Sequence, residues 1–333
     1  MTLPVAIIGA GGWGTALAVT LAHSDRKVSL WVYEPDLALS MTESHENAVY
    51  LPARRIPESV HISNSMEDVL ADSRIVIVAV PSHVYRNVVQ QMAPLLQPDT
   101  VFVSATKGIE TRTLMRMSQV LADVIPATLK PRIAVISGPT FAPEVARGVP
   151  TALVVASPDE SLRLKLQTEL STPRFRLYTN SDPVGVEIGA AAKNIIAIAA
   201  GVADGLGLGS NAAAALVTRG LAEITRLAVA CGGRRETLSG LAGLGDLILT
   251  SYGSLSRNRR VGIALGQGRT IDEILGGMRS VAEGVKTTES AVALARKLNV
   301  EMPIAEKMYS VLYEGLPVQA AINDLMERKL KEE

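Results

Sequence analysis

Short, wholly apolar runs, each ended by glycine or proline, dominate the first half of the chain. Val5-Ala6-Ile7-Ile8 stops at Gly9, Ile75 to Val80 at Pro81, Ile133 to Ser137 at Gly138-Pro139, and Thr151 to Ala156 at Ser157-Pro158. Val101 to Ala105 runs up to Lys107-Gly108, and Arg174 to Tyr178 reads as a last, edge strand. Runs of this length without polar alternation fit strands buried on both faces of a parallel sheet. Helical stretches separate them: Thr15 to His23 before a second strand at Lys27 to Tyr33, then Val84 to Leu96 and Thr113 to Leu121. Strand, turn, helix and strand in this order predict a doubly wound α/β sheet.

The texture changes near Asp182-Pro183. Val184 to Gly205 is rich in Ala, Ile and Gly and reads as a helix, as do Ala212 to Ala230, Asp272 to Leu275, Val285 to Leu298 and Ile304 to Leu312. No strand alternation follows residue 180. A chain of 333 residues exceeds what one core usually serves. A division at about residue 180 is therefore expected, between an α/β domain (1–180) and an all-helical domain (181–333). Ile188 to Ala203 is apolar, but Lys193 and Asn194 in its middle favour a buried core helix over a membrane span.

Composition narrows the classes. Hydrophobic residues make up 47% and charged residues 20%, which suits a sizeable core; aromatics are only 4%, so Ala, Val, Leu and Ile must fill it. Lys plus Arg equals Asp plus Glu at 33 each, which argues against a general nucleic-acid binder but leaves room for a local basic pocket. The single cysteine, Cys231, excludes an intrachain disulfide and reads as a small core filler at a helix end rather than a catalytic thiol. Met1-Thr2-Leu3-Pro4 lacks the basic segment of a signal peptide, so a reducing, cytoplasmic setting is expected. The four histidines and one cysteine form no ligand cluster of recognised spacing, so no metal is expected.

Two patterns carry chemistry. Gly9-Ala10-Gly11-Gly12-Trp13-Gly14 fits G-x-G-x-x-G at Gly9, Gly11 and Gly14, and it follows a buried strand and opens a helix. Gly9 would allow the tight turn, Gly11 the approach of a pyrophosphate, and Gly14 close packing of helix on strand, with the anion at the helix N-terminus. The second strand ends at Tyr33-Glu34. Glu34 lies twenty residues after Gly14, where an acid accepts from the adenosine ribose hydroxyls and repels the 2′-phosphate of NADP; Asp36 is the alternative reader. The expected fold is thus a Rossmann-type sheet with a helical partner.

The second pattern lies in the helical half. Lys193 sits among Gly189, Ala190, Ile196 and Ala197, where an ammonium is costly; burial lowers a lysine's pKa and makes it a candidate general base, the alternative being a lysine that reaches the surface or pairs with an acid such as Glu187. Asp246, among glycines and aliphatics, reads either as a partner of Lys193 or as a helix N-cap. Ser256-Arg257-Asn258-Arg259-Arg260 reads either as a phosphate clamp, since the arginine fork binds two oxygens, or as a solvated basic loop.

Side by side, these segments resemble the NAD(P)-dependent glycerol-3-phosphate dehydrogenases. The resemblance runs nearly end to end. It is carried by the glycine-rich turn with Thr15-Ala16, by His45-Glu46-Asn47 with Tyr50-Leu51-Pro52, and by Ser104-Ala105-Thr106-Lys107-Gly108-Ile109-Glu110. Ser137-Gly138-Pro139-Thr140-Phe141-Ala142, Ala192-Lys193-Asn194, Gly243-Leu244-Gly245-Asp246, Ser256-Arg257-Asn258 and Ala282-Glu283-Gly284 complete it. It implies hydride transfer between the cofactor and sn-glycerol 3-phosphate or dihydroxyacetone phosphate, supplying glycerol 3-phosphate for glycerophospholipid synthesis or redox balance.

The same resemblance implies roles. Lys193 would be the general acid/base on the C2 oxygen, with Lys107 and Asp246 as companions. Asn194, Thr250, Gly138, Thr140 and Ser256 would line the substrate, and Arg257 and Asn258 would clamp its phosphate. Gly9, Gly11, Gly12, Trp13, Gly14, Tyr33, Glu34, Lys107, Ala142, Arg257, Val281 and Glu283 would line the cofactor. The family is usually dimeric, so a homodimer is expected. Many bacterial members carry Ser where this chain has Gly12, and an Arg after the second strand; Trp31-Val32-Tyr33-Glu34 looks more like the NAD-using branch, so NAD is the expected preference and NADP the alternative.

Two rivals differ in class. A hydroxyacid or ketoacid reductase would share the helical-domain lysine but has less need of Ser256-Arg257-Asn258. A non-catalytic NAD(H) sensor would bind cofactor without turnover.

Overall fold

The apolar runs become the middle of an eight-stranded sheet. The computed structural model describes residues 2–22, 26–278 and 282–329. Its strands are β1 (Val5–Ile8), β2 (Val28–Trp31), β3 (Glu46–Asn47), β4 (Leu51–Arg55), β5 (Val60–Ser63), β6 (Ile75–Val78), β7 (Val101–Ser104), β8 (Arg132–Ser137), β9 (Thr151–Ala156) and β10 (Phe175–Asn180). The sheet order is β10-β9-β8-β7-β6-β1-β2-β5, and β3 pairs with β4 as a separate hairpin. All neighbours in the large sheet are parallel except β8 and β9. β1, β6 and β7 are buried along their whole length, as strands covered on both faces must be.

Order decides where a ligand can sit. From β1 the chain moves outward to β2 and β5, then returns to β6 on the other side of β1. The crevice at the carboxyl ends of β1 and β6 is therefore the topological switch point, the place where such sheets bind ligands. The glycine-rich turn leaves β1 there, and the Lys107 and Gly138 loops leave β7 and β8 on the same edge.

The structure departs from the sequence reading at particular places. β2 ends at Trp31, leaving Tyr33 70% exposed beyond it. The stretch read as one helix over Val84 to Leu96 is a helix over Tyr85–Met92 followed by a tighter turn over Ala93–Leu95, where Pro94 cannot donate to the helical ladder. The helix read over Thr113 to Leu121 begins later, at Met117–Val124, after Leu114 in a left-handed conformation (φ 60°). The first helix is Gly12–Ala22, and His23, read as its end, lies outside the described residues. β3, β4 and β5 were not anticipated, although β5 buries Val60 and Ile62 and exposes His61 between them, which is the alternation of an edge strand.

Every described element after β10 is helical. The helix Pro183–Gly205 starts with Asp182 as its cap: Oδ1 accepts from Gly185 N at 2.9 Å, while Oδ2 accepts from Arg234 N (2.8 Å) and Thr237 Oγ1 (2.7 Å). This helix is long and apolar enough to cross a membrane, yet it is buried inside the protein from Gly185 through Ala203. Its closest neighbour in space is the helix Arg257–Gly266. A Cβ on Gly262 would lie 1.9 Å from Ile198 O, so glycine alone permits this approach. That approach brings Asn258 alongside Asn194.

The sheet and the helices share contacts. Val186 and Ala242 pack on Val135, Val154 and Ala156 of β8 and β9. Buried Glu187 accepts from Ser118 N (2.8 Å) and Ser118 Oγ (2.6 Å) and pairs with Arg116. Glu187 therefore ties the start of the helix Met117–Val124 to the central helix; Lys193 takes a different acid.

Candidate active site

Lys193 is 5% exposed on the central helix, and its ammonium finds two acceptors: Asp246 Oδ1 at 2.5 Å and Thr250 Oγ1 at 2.6 Å. Both partners stand on the helix Asp246–Tyr252, one turn apart, and so present to the same point. Asp246 is the first residue of that helix, and Gly245 occupies the cap position; the N-cap alternative does not describe it. A five-residue π-type turn over Leu241–Gly245, packed on Gly189, sets the entry of this helix.

The second lysine arrives from the sheet. Lys107 Nζ, on the loop after β7, donates to Asp246 Oδ2 (2.7 Å), Gly138 O (3.1 Å) and Thr140 Oγ1 (3.4 Å). One carboxylate thus holds two ammonium groups, one from each half of the chain. An ammonium has three hydrogens. Those of Lys107 are all taken by protein acceptors, whereas Lys193 has one left over among the described residues.

Burial and charge set the protonation states. Burial drives the Lys193 ammonium down to about 8, with Asp246 opposing that fall and Lys107 adding to it. Burial alone would push the Asp246 carboxyl up, but Lys107 and Lys193 outweigh it and hold the group below its ordinary value. Glu283, half-buried at the start of the helix Glu283–Lys297, is raised by burial even though Arg257, Lys107 and Lys193 pull the other way. The cluster is rich in cations around one firmly ionised acid, a setting for an anionic ligand.

Beside it, Asn258 Nδ2 donates to Asn194 Oδ1 (2.9 Å), and Asn258 Oδ1 accepts from Gly284 N (3.0 Å). Asn258 therefore spends its carbonyl and one N–H on protein groups. Ser256 caps the helix Arg257–Gly266, its Oγ accepting from Arg259 N at 3.1 Å. Arg257, exposed at the first helical position, opens onto a crevice that Arg260 and Arg269 also line.

The glycine-rich turn fits a dinucleotide. Gly9 has φ 112°, and a Cβ there would strike Val80 and Ala79 O at the end of β6. A Cβ on Gly14 would lie 1.8 Å from Gly9 O, so the helix can pack on the strand only with glycine. Around Gly11 a Cβ would meet nothing within 4 Å: the backbone faces open space where a pyrophosphate could approach. Gly12 sits against Tyr50 O and Ala142 Cβ, and Trp13 Nε1 is buried with no partner among the described residues. Glu34 follows β2 and accepts from Tyr50 Oη at 3.1 Å, while Tyr33 stacks edge-on with Trp31. Val281 lies outside the described residues.

The hydrogen-bonded cluster therefore unites Lys107, Gly138, Thr140, Lys193, Asp246 and Thr250, and a second joins Asn194, Asn258 and Gly284. Tyr33 and Glu34 stand apart, along the crevice past β2. Among the described residues no group of three His, Cys, Asp or Glu side chains is placed to hold a metal ion. Cys231 packs against the helical core at a helix end, and burial pushes its thiol up. The buried amide of Asn47, against the glycine-rich turn, escaped the sequence reading; His45-Glu46-Asn47 contributed to the resemblance without a role.

Comparison with known proteins adds the following. Residues 4–163 match the family described as NAD-dependent glycerol-3-phosphate dehydrogenase N-terminus, and residues 182–323 match its C-terminus. The chain is similar to glycerol-3-phosphate dehydrogenases (NAD(P)+) of Koribacter versatilis (53% identical, 97% of each chain) and of Geobacter sp. strain M21 (51% identical, 100% of this chain and 99% of the other). The crystal structure of glycerol-3-phosphate dehydrogenase from Coxiella burnetii matches with a TM-score of 0.94 and 42% identity, over 98% of this chain and 99% of that one. With both halves matched and relatives at this identity over its whole length, the chain belongs to the NAD-dependent glycerol-3-phosphate dehydrogenase family.

Proposed function

We propose that this chain interconverts sn-glycerol 3-phosphate and dihydroxyacetone phosphate with a nicotinamide dinucleotide, NAD in preference to NADP, and that Lys193 moves the proton. The observation that carries the reading is Asp246 shared between Lys193 and Lys107. Homologues of about 50% identity bear the name of this activity.

The bound nicotinamide supplies the hydride donor and acceptor. Lys193 takes the proton of the C2 hydroxyl in oxidation and returns it to the C2 oxygen in reduction, through the hydrogen that Asp246 and Thr250 leave free. Its ammonium also stabilises negative charge on that oxygen. Asp246 fixes both lysines; Lys107, anchored to Gly138 O and Thr140, adds positive charge and defines the wall of the cleft. Arg257 grips the phosphate, with Ser256 and Asn258 placing its helix and Asn194 beside the substrate, so that phosphate binding orients C2. Gly9, Gly11, Gly12, Trp13, Gly14, Ala142, Val281 and Glu283 hold the cofactor, and Glu34 takes the adenosine ribose.

In this reading residues 1–180 form the dinucleotide domain and 181–333 the helical domain that carries the acid/base. The enzyme works as a cytoplasmic homodimer. The test follows absorbance of reduced nicotinamide with dihydroxyacetone phosphate and either NADH or NADPH. Loss of signal with NADH and little with NADPH is expected. Equal rates would remove the role given to Glu34. Turnover only with an unphosphorylated ketoacid would overturn the substrate.

A further inference from the structure

The hairpin β3–β4 lies outside the large sheet, yet it reaches into the glycine-rich turn. Asn47 is 0% exposed, and its amide is fully committed: Nδ2 donates to Ala10 O at 2.7 Å and to Thr15 Oγ1 at 2.9 Å, and Oδ1 accepts from Tyr50 N at 3.0 Å. Thr15 Oγ1 also donates to Ala10 O, at 3.3 Å. Two donors thus converge on one carbonyl, that of the residue between Gly9 and Gly11.

A trans peptide points its C=O and the following N–H in opposite directions. The Ala10–Gly11 peptide is trans. With Ala10 O drawn to Asn47, the Gly11 N–H must face away from the hairpin, and the space around Gly11 on its open side is empty. Flipping this plane turns ψ of Ala10 and φ of Gly11, and Gly11 has no side chain to resist the change, so the glycine side leaves the plane free unless something holds the Ala10 carbonyl. A flipped peptide would aim its carbonyl, and not its N–H, at an arriving pyrophosphate. We infer that Asn47 is a positioning residue for cofactor binding: it locks the Ala10–Gly11 peptide plane in the orientation that receives the pyrophosphate.

This rests on the proposed use of a nicotinamide dinucleotide, and binding of NADH by the unaltered chain tests that premise separately. The test of the lock itself is a fluorescence titration of NADH and NADPH with Asn47→Ala, beside a thermal melt. Both cofactors should bind about tenfold more weakly or worse, and by the same factor, because the pyrophosphate is common to them. The KM for dihydroxyacetone phosphate at saturating NADH should stay within about twofold, since Asn47 does not contact the lysine cluster. Should Asn47→Ala fail to fold, Asn47→Asp keeps the shape and the bond from Tyr50 N but sets an acceptor against Ala10 O; it too should weaken both cofactors. Binding of both within about twofold of the unaltered chain, in a folded variant, overturns the lock, as does weakening confined to one cofactor.

Discussion

Lys193 illustrates how hydrogen counting separates two lysines that share one acid. Lys107 gives its three donors to Asp246, Gly138 O and Thr140, so it is held as a fixed charge. Lys193 gives two, to Asp246 and Thr250, and keeps the third. Lys193→Ala should therefore lose kcat by about 10²-fold or more while dihydroxyacetone phosphate KM changes little, measured by steady-state kinetics with NADH. Unchanged kcat would show that the proton travels elsewhere. Asp246 keeps Lys107 as a partner in that variant, so no unpaired buried carboxylate complicates the reading. The residue that the sequence singled out as anomalous, a lysine in an alanine-rich helix, is also one that folding buries and pushes down from its ordinary value.

Elements carry the geometry that residues need. The central helix and the helix Arg257–Gly266 meet backbone to backbone, and Gly262 has room for no more than a hydrogen beside Ile198 O. Gly262→Ala should cost about 1–3 kcal/mol or more by forcing the helices apart, seen as a lower thermal midpoint, with weaker substrate binding because Asn258 would withdraw from Asn194. A variant with unaltered midpoint would contradict this packing. The buried strands were legible because full burial leaves an unbroken apolar run; both β1 and β9 match their expected spans residue for residue. β4, with Ala53 at φ 58° and most of its side chains exposed, carries no periodic signal, and its two-residue partner is too short to show one. One helix starts later after Leu114 and another ends early before Pro94, local backbone choices that apolar periodicity ignores.

At the scale of the whole molecule, the candidate site exists only where the sheet and the helices meet. Asp246 and Lys193 come from the helical half, Lys107, Gly138 and Thr140 from strand ends. The residues themselves singled out Lys193 and Asp246, while Lys107, Gly138 and Thr140 entered only through the family resemblance; the pairing of Asp246 with Lys193 followed from the cost of leaving either alone. The sharing of Asp246 with Lys107 did not, because it depends on a loop and a helix start, more than a hundred residues apart in the chain, coming together. Asn47 was illegible for a similar reason: nothing in a polar stretch says that its amide will be buried against Ala10 O.

In the proposed mechanism a buried Lys193, lowered to about 8, passes the proton. Oxidation needs it neutral and reduction needs it charged. The measurement is kcat/KM against pH in both directions between about pH 7 and 9.5, where the free-enzyme group is reported. Opposite profiles are expected: glycerol 3-phosphate oxidation rising to a plateau above about pH 8, and dihydroxyacetone phosphate reduction level below it and falling above. Profiles of the same sign, or flat across this range in both directions, would contradict it.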